Sequence, residues 1–214
     1  MDYVIKVRNV TKTFKEATVL KDVTVSFERG KIYGIIGRNG SGKTVLFKCI
    51  CGLIPVTQGE ITVLGQSIGD GLKVPKGVGA IIETPGFLPN VSGYRNLYYL
   101  ASLSGKPDRN RIREVINMVG LDPDSRKHVG HYSMGMRQRL GLAQAIMENP
   151  EVLILDEPMN GLDNETVESI RAFLLGQKEQ GKTIILASHS KEDISQLCDA
   201  VYQMDAGVLS MQGM

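Results

Sequence analysis

Residues Gly37 to Thr44 read GRNGSGKT and match the pattern G-x-x-x-x-G-K-[ST], with Gly37, Gly42, Lys43 and Thr44 at its fixed positions. The chemistry such a stretch supports is anion capture. Glycines let the chain turn so that backbone N–H groups point inward, and a helix start just beyond adds partial positive charge. Asn39, Gly40 and Ser41 fill the same loop. A lysine at position 43 can reach the outer phosphates of a nucleotide, and a threonine hydroxyl at 44 can ligate Mg²⁺. At average residue usage the four fixed positions would coincide by chance on the order of one time in a hundred in a chain this long. The pattern therefore points to nucleotide binding without saying what the nucleotide does.

Two other places carry chemistry. Asp156 and Glu157 follow the apolar run VLIL, and Ser188 and His189 follow TIILA. A carboxylate at 156 suits Mg²⁺ held through its water shell. Glu157, one residue on, can polarise an attacking water as general base. His189 alone would read as a solvated or structural histidine. At a strand end in the same sheet it reads as a sensor of the terminal phosphate. Ligands of open parallel sheets sit outside the carboxyl ends of the strands, so strand ends at Gly37, Asp156–Glu157 and Ser188–His189 should converge.

The elements that must position these groups are legible from period and punctuation. KIYGIIG reads as a short strand before the glycine loop, and a helix follows from about Gly42 to Cys51. EVLILDE and KTIILASH have continuous apolar runs, as parallel strands buried on both faces do. Between them, Val167, Ile170, Phe173 and Leu174 line one face of a helix ended by Gly181. The N-terminal part alternates instead (Tyr3, Ile5, Val7; then Val23, Val25, Phe27), the mark of half-buried antiparallel strands. GEITVLG and GVGAIIE read as further strands, and AVYQM with GVLSM as a closing hairpin. The middle is helical: YRNLYYLASLSG, then a helix with Ile112, Val115, Ile116 and Val119 as its stripe and Gly120 as the residue past its end, then one from near Ser133 to Glu148. The expected fold is α/β: a P-loop NTPase core with a mostly parallel sheet, an N-terminal antiparallel β-subdomain and an inserted α-helical subdomain. The division expected is 1–87 with 150–214 for the core, and 88–149 for the helices.

Composition narrows the classes. The 214 residues suit one large domain, with 42% hydrophobic and 22% charged residues and a net charge of +2. A near-balanced charge gives no reason to expect a nucleic-acid partner. The three cysteines, Cys49, Cys51 and Cys198, lack the spacing of a disulfide framework, and reduced thiols in a cytosolic core are expected. MDYVIKVRNV has no apolar h-region, and no run approaches the roughly 18 apolar residues of a membrane span. Any membrane role needs another chain for the spanning part.

With these residues in view the chain resembles the nucleotide-binding subunit of an ABC transporter over nearly its whole length. YSMGMRQRLGLAQAI, from Tyr132, lies where that family has its signature motif, Asn160–Asp163 (NGLD) resembles the D-loop, and ASHS the switch-histidine segment. Phe14 stands where the family has an aromatic that stacks on adenine; a core role for it is the alternative. The resemblance implies two such subunits, identical or different, sandwiching MgATP head to tail, with Ser133 and Gly135 of one chain meeting the γ-phosphate bound at Lys43 of the other. It also implies a separate membrane subunit and a place on the cytoplasmic face of the membrane.

Two departures stand out. The usual signature Leu-Ser-Gly-Gly-Gln is here Tyr132-Ser133-Met134-Gly135-Met136, which keeps the serine and second glycine and loses the glutamine. Glu83, in AIIETPGFLPN, replaces the Q-loop glutamine. A carboxylate there can ligate Mg²⁺ but cannot donate a hydrogen bond. Both departures resemble those of ATPases in bacitracin and lantibiotic exporters, implying export, with the segment after Glu83 as the membrane-subunit docking surface. The alternative is a soluble ABC ATPase acting on ribosomes or DNA; the single ATPase unit and the lack of room for a long coiled coil argue against it.

Overall fold

The computed structural model describes residues 2–69, 74–83, 85–103, 105 and 107–212. β1 (Tyr3–Phe14) and β2 (Ala17–Glu28) form a long antiparallel hairpin, and β4 (Gln58–Val63) pairs with the other edge of β1. Asn9, at φ 48°, is an extra residue between the Val7–Val25 and Val10–Val23 pairs. This bulge resets the alternation so that Val10 faces inward like Ile5 and Val7. The short β5 (Gln66–Ile68), which no sequence signal announces, completes a four-stranded sheet of order β2-β1-β4-β5.

The second sheet has six strands: β3 (Ile32–Ile36), β6 (Val78–Ile81), β7 (Val152–Asp156), β8 (Thr183–Ala187), β9 (Ala200–Asp205) and β10 (Val208–Gln212), in the order β10-β9-β3-β8-β7-β6. All neighbours are parallel except β10, which closes antiparallel on β9 as a hairpin. The unbroken apolar runs of β7 and β8 are explained by a core on each face. Ile154, Ile185 and Ala187 face the core shared with the antiparallel sheet and helix α1 (Lys43–Ile50). Leu153, Leu155, Ile184 and Leu186 face the core shared with the other helices. Side chains alternate along a strand, so each run feeds both cores.

Between β6 and β7 come α2 (Gly93–Leu103), α3 (Arg109–Met118), a 3-10 turn (Val129–His131) and α4 (Met134–Ile146). Ile112, Val115 and Ile116 of α3 are buried as their spacing predicts, and Gly120 takes φ 69° just past the helix end. Phe87, Tyr94 and Tyr98 pack against the helical core, whereas Tyr99 is exposed. α4 lies so close to β6 that a Cβ on Gly79 would stand 1.9 Å from the Ala145 carbonyl oxygen. Only glycine fits there, and this contact sets the height of α4 over the sheet. After β7 comes α5 (Asn164–Glu179) and after β8 the short α6 (Lys191–Leu197), a helix the sequence reading lacks. Among the described residues no helix is long and apolar enough to cross a membrane.

Candidate nucleotide-binding site

The adjacent strands β3, β8 and β7 end at one rim, and the three chemically loaded ends meet there. The loop from Gly37 to Gly42 leads straight into α1, whose first-turn amides have no acceptor within the helix. Gly37 has φ 152°, and a Cβ there would stand 2.2 Å from the Met204 carbonyl oxygen; Gly42 sits at φ 116°. The loop is thus pinned against β9 on one side and open on the other. It borders a cleft of about 870 Å³, a volume suited to a nucleotide.

Lys43 is buried, with only 6% exposed, and its ammonium donates to the carbonyls of Gly37 (2.7 Å) and Arg38 (3.3 Å). The Thr44 hydroxyl donates to Asp156 Oδ2 at 2.6 Å, joining the loop to the end of β7. Ser41 Oγ is buried without a hydrogen-bond partner among the described residues. A cation folded onto its own loop, a spare hydroxyl and free amides are what a triphosphate would engage. Thr44 and Asp156 are hard oxygen donors. Among the described residues no group of three or more His, Cys, Asp or Glu side chains forms a complete metal cage. The two oxygen donors, Thr44 and Asp156, are what fit Mg²⁺, which binds by one or two protein oxygens plus phosphates and waters.

Glu157 sits one residue beyond Asp156 in the left-handed region, at φ 51°, a strained conformation for a side-chain-bearing residue. The turn aims its carboxylate across the rim toward His189. His189 Nε2 lies 3.0 Å from Glu157 Oε1 and 2.9 Å from Asn39 Oδ1. The approach to Glu157 lacks hydrogen-bond alignment, and Oε1 has no other partner among the described residues. Burial holds the Glu157 carboxyl above the ordinary carboxylate range; Asp156 adds to this, while His189 and Lys43 pull the other way.

Not every expected residue reaches this cluster. Glu83 is on the cleft wall, yet its side chain is 64% exposed and its carboxylate accepts from Lys48 Nζ at 2.7 Å. Phe14 is exposed at the tip of the β1–β2 hairpin with Lys12 Nζ 4.7 Å from its ring centre, so it is not a core residue; it does not line the cleft. Ser133 caps α4 by accepting from Met136 N at 3.2 Å, and Gly135 lies against Thr166 and Leu162. Their neighbours Tyr132 and Met134 reach the cleft, but Ser133 and Gly135 do not. The sequence reading missed Lys48 as the partner of Glu83 and the part Asn39 plays in holding His189. The Lys48–Glu83 contact joins residues 35 positions apart and the Asn39 contact residues 150 positions apart, and neither had a local signal.

A phosphate loop at the head of a doubly covered parallel sheet, with a threonine in the first turn of the helix that follows and two acids and a histidine at the neighbouring strand ends, defines a P-loop nucleotide-hydrolase fold. Residues 20–160 match the family described as ABC transporter, and the chain belongs to that family. It is 43% identical over 211 residues to the bacitracin transport ATP-binding protein BcrA of Enterococcus faecalis, covering 98% of this chain and 68% of BcrA. It is 34% identical to the lantibiotic transport ATP-binding protein SrtF of Streptococcus pyogenes, over 92% of this chain and 85% of SrtF. Its fold matches the ATP-binding cassette MJ0796, solved as a dimer in a post-hydrolysis state with ADP and Pi, at TM-score 0.86 and 22% identity, over 98% of this chain and 100% of that one. As a member of this family the protein is an ATP-binding ATPase.

Proposed function

We propose that the chain is the ATP-hydrolysing subunit of an exporter whose membrane-spanning part is a separate protein, and that its cargo is a peptide antibiotic or related drug. The observation that carries the ATPase part is the meeting of Lys43, Thr44, Asp156, Glu157 and His189 at one rim. The cargo class rests on the names of the relatives BcrA and SrtF. Such a subunit works on the cytoplasmic face of the membrane.

The roles follow from the geometry. The loop amides from Asn39 to Thr44 wrap the phosphates, and Lys43 exchanges its carbonyl partners for phosphate oxygens. Thr44 and Asp156 would hold Mg²⁺, whose contribution is to neutralise charge on the phosphates. Glu157, strained and hydrogen-bond-deficient, takes the proton of the attacking water. His189, anchored by Asn39, contacts the terminal phosphate. Glu83, the remaining candidate for the metal, is engaged by Lys48, which offsets its charge near the phosphates. Phe14 stacks on the base only if the hairpin tip closes over the cleft.

Ser133 and Gly135 complete the site of a second ATPase subunit. The support is that Ser133 opens an exposed helix N-terminus, a ready anion site, and is not itself among the residues lining its own chain's cleft. Turnover per subunit should therefore rise with protein concentration and with the membrane partner. Activity strictly proportional to enzyme across the dilution range contradicts the paired site.

A further inference from the structure

Three polar side chains that the site does not use are almost fully buried next to it: Arg171 (5% exposed), Ser188 (4%) and Asp193 (4%). They form one connected chain. Arg171, on α5, donates to Asp193 Oδ1 through Nε at 2.9 Å and Nη2 at 2.5 Å. Asp193, on α6, accepts at Oδ2 from the Ser188 hydroxyl at 2.9 Å. That hydroxyl in turn accepts from Ser190 N at 3.1 Å, and Ser190 Oγ accepts from Asp193 N at 3.2 Å. The residue enclosed by these bonds is His189.

Stability alone gives a weak reason for such a network. A buried ion pair roughly breaks even against apolar residues of the same volume. The seven residues of α6 are too few to hold a turn in place unaided. What the network does fix is direction. Ser188 acts as donor and acceptor at once, so the backbone from 188 to 190 has one arrangement relative to α5, and with it the bond that aims the His189 ring.

We propose that Asp193, braced by Arg171, is a positioning residue for hydrolysis, acting through the Ser188 hydroxyl to present His189 Nε2 to Glu157 and Asn39. The proposal rests on the role given to His189 above. The Asn39 carbonyl oxygen can only accept, so this placement also selects the Nε2–H tautomer.

Ser188→Ala is the clean test, because it cuts the link to the turn while leaving the Arg171–Asp193 pair whole. Ser188→Thr keeps the hydroxyl, and His189→Ala serves as the reference. Turnover is measured at concentrations that favour paired subunits, with MgATP affinity, Tm and imidazole ¹⁵N spectra of each variant. The three histidines make the His189 signals assignable from their loss in His189→Ala. Ser188→Ala should lower kcat roughly ten- to hundredfold. MgATP affinity should hold, Tm should fall by only a few degrees from the unpaired Asp193 Oδ2, and the His189 signals should move from one Nε2–H form to mixed tautomers. Ser188→Thr should restore both. Wild-type kcat and unchanged imidazole signals in Ser188→Ala, with His189→Ala inactive, overturn the positioning role alone. Wild-type turnover in His189→Ala overturns the role of His189 and this proposal with it.

Discussion

Glu157→Gln should make the protein more stable and less active at once. The Glu157 carboxylate is desolvated, one of its oxygens lacks a hydrogen-bond partner among the described residues, and burial keeps its pKa above the ordinary range. A group whose pKa is raised on folding favours the native state below its unfolded pKa, about 4.3 for glutamate, and loses that contribution as pH rises through the folded value. At neutral pH the wild type therefore bears a penalty that the uncharged amide removes. A buried polar atom left unpaired costs about 1–3 kcal/mol. Relief of about 1 kcal/mol would raise Tm by roughly 2–4 °C in a chain of this size. The loss of a general base should lower turnover about 10²–10⁴-fold. Melting of both proteins, free of nucleotide and Mg²⁺, from neutral pH down to about pH 4 is the assay: the gap should be largest at neutral pH and close as the wild-type carboxyl protonates. With MgATP present the variant should accumulate as dimer in sedimentation. If Glu157→Gln melts at or below the wild type at neutral pH, or the gap ignores pH, the picture of a strained, charge-penalised base is wrong.

Two further predictions follow from the rest of the structure. Asp163 caps α5 by accepting from Thr166 N (2.9 Å) and Thr166 Oγ1 (3.0 Å), and these bonds hold its pKa below the ordinary range. Its contribution is present above the unfolded value of about 3.9 and fades as pH falls through the folded one, so Asp163→Asn should melt slightly lower than wild type at neutral pH and equally in strong acid. Burial pushes the Cys49 thiol up to about 11 and those of Cys51 and Cys198 to about 12, so none should react with a thiol reagent at neutral pH until the protein unfolds.

The phosphate loop and the acids after VLIL were legible because each is a local pattern whose chemistry depends on spacing. The same holds for α3, where the apolar stripe and Gly120 mark face and end together. What could not be read were contacts between distant segments. The approach of α4 to β6 at Gly79, the Lys48–Glu83 pair and the Asn39–His189 bond each join residues 35 to 150 positions apart or meet only through packing. β5 and α6 were missed for another reason: three and seven residues carry too little period to register. The bulge at Asn9 shows a third limit, since an alternating pattern does not say where an extra residue shifts its phase.

The central claim is that the cleft beside Gly37–Thr44 binds the phosphates of ATP through Lys43. Calorimetric titration of MgATP into the wild type and Lys43→Ala tests it directly. The buried ammonium is the cation that the loop itself brings to the phosphates, and a charge-assisted bond contributes about 1.5–3 kcal/mol, so the variant should bind roughly ten- to hundredfold more weakly. Equal affinity in the two proteins would contradict the account.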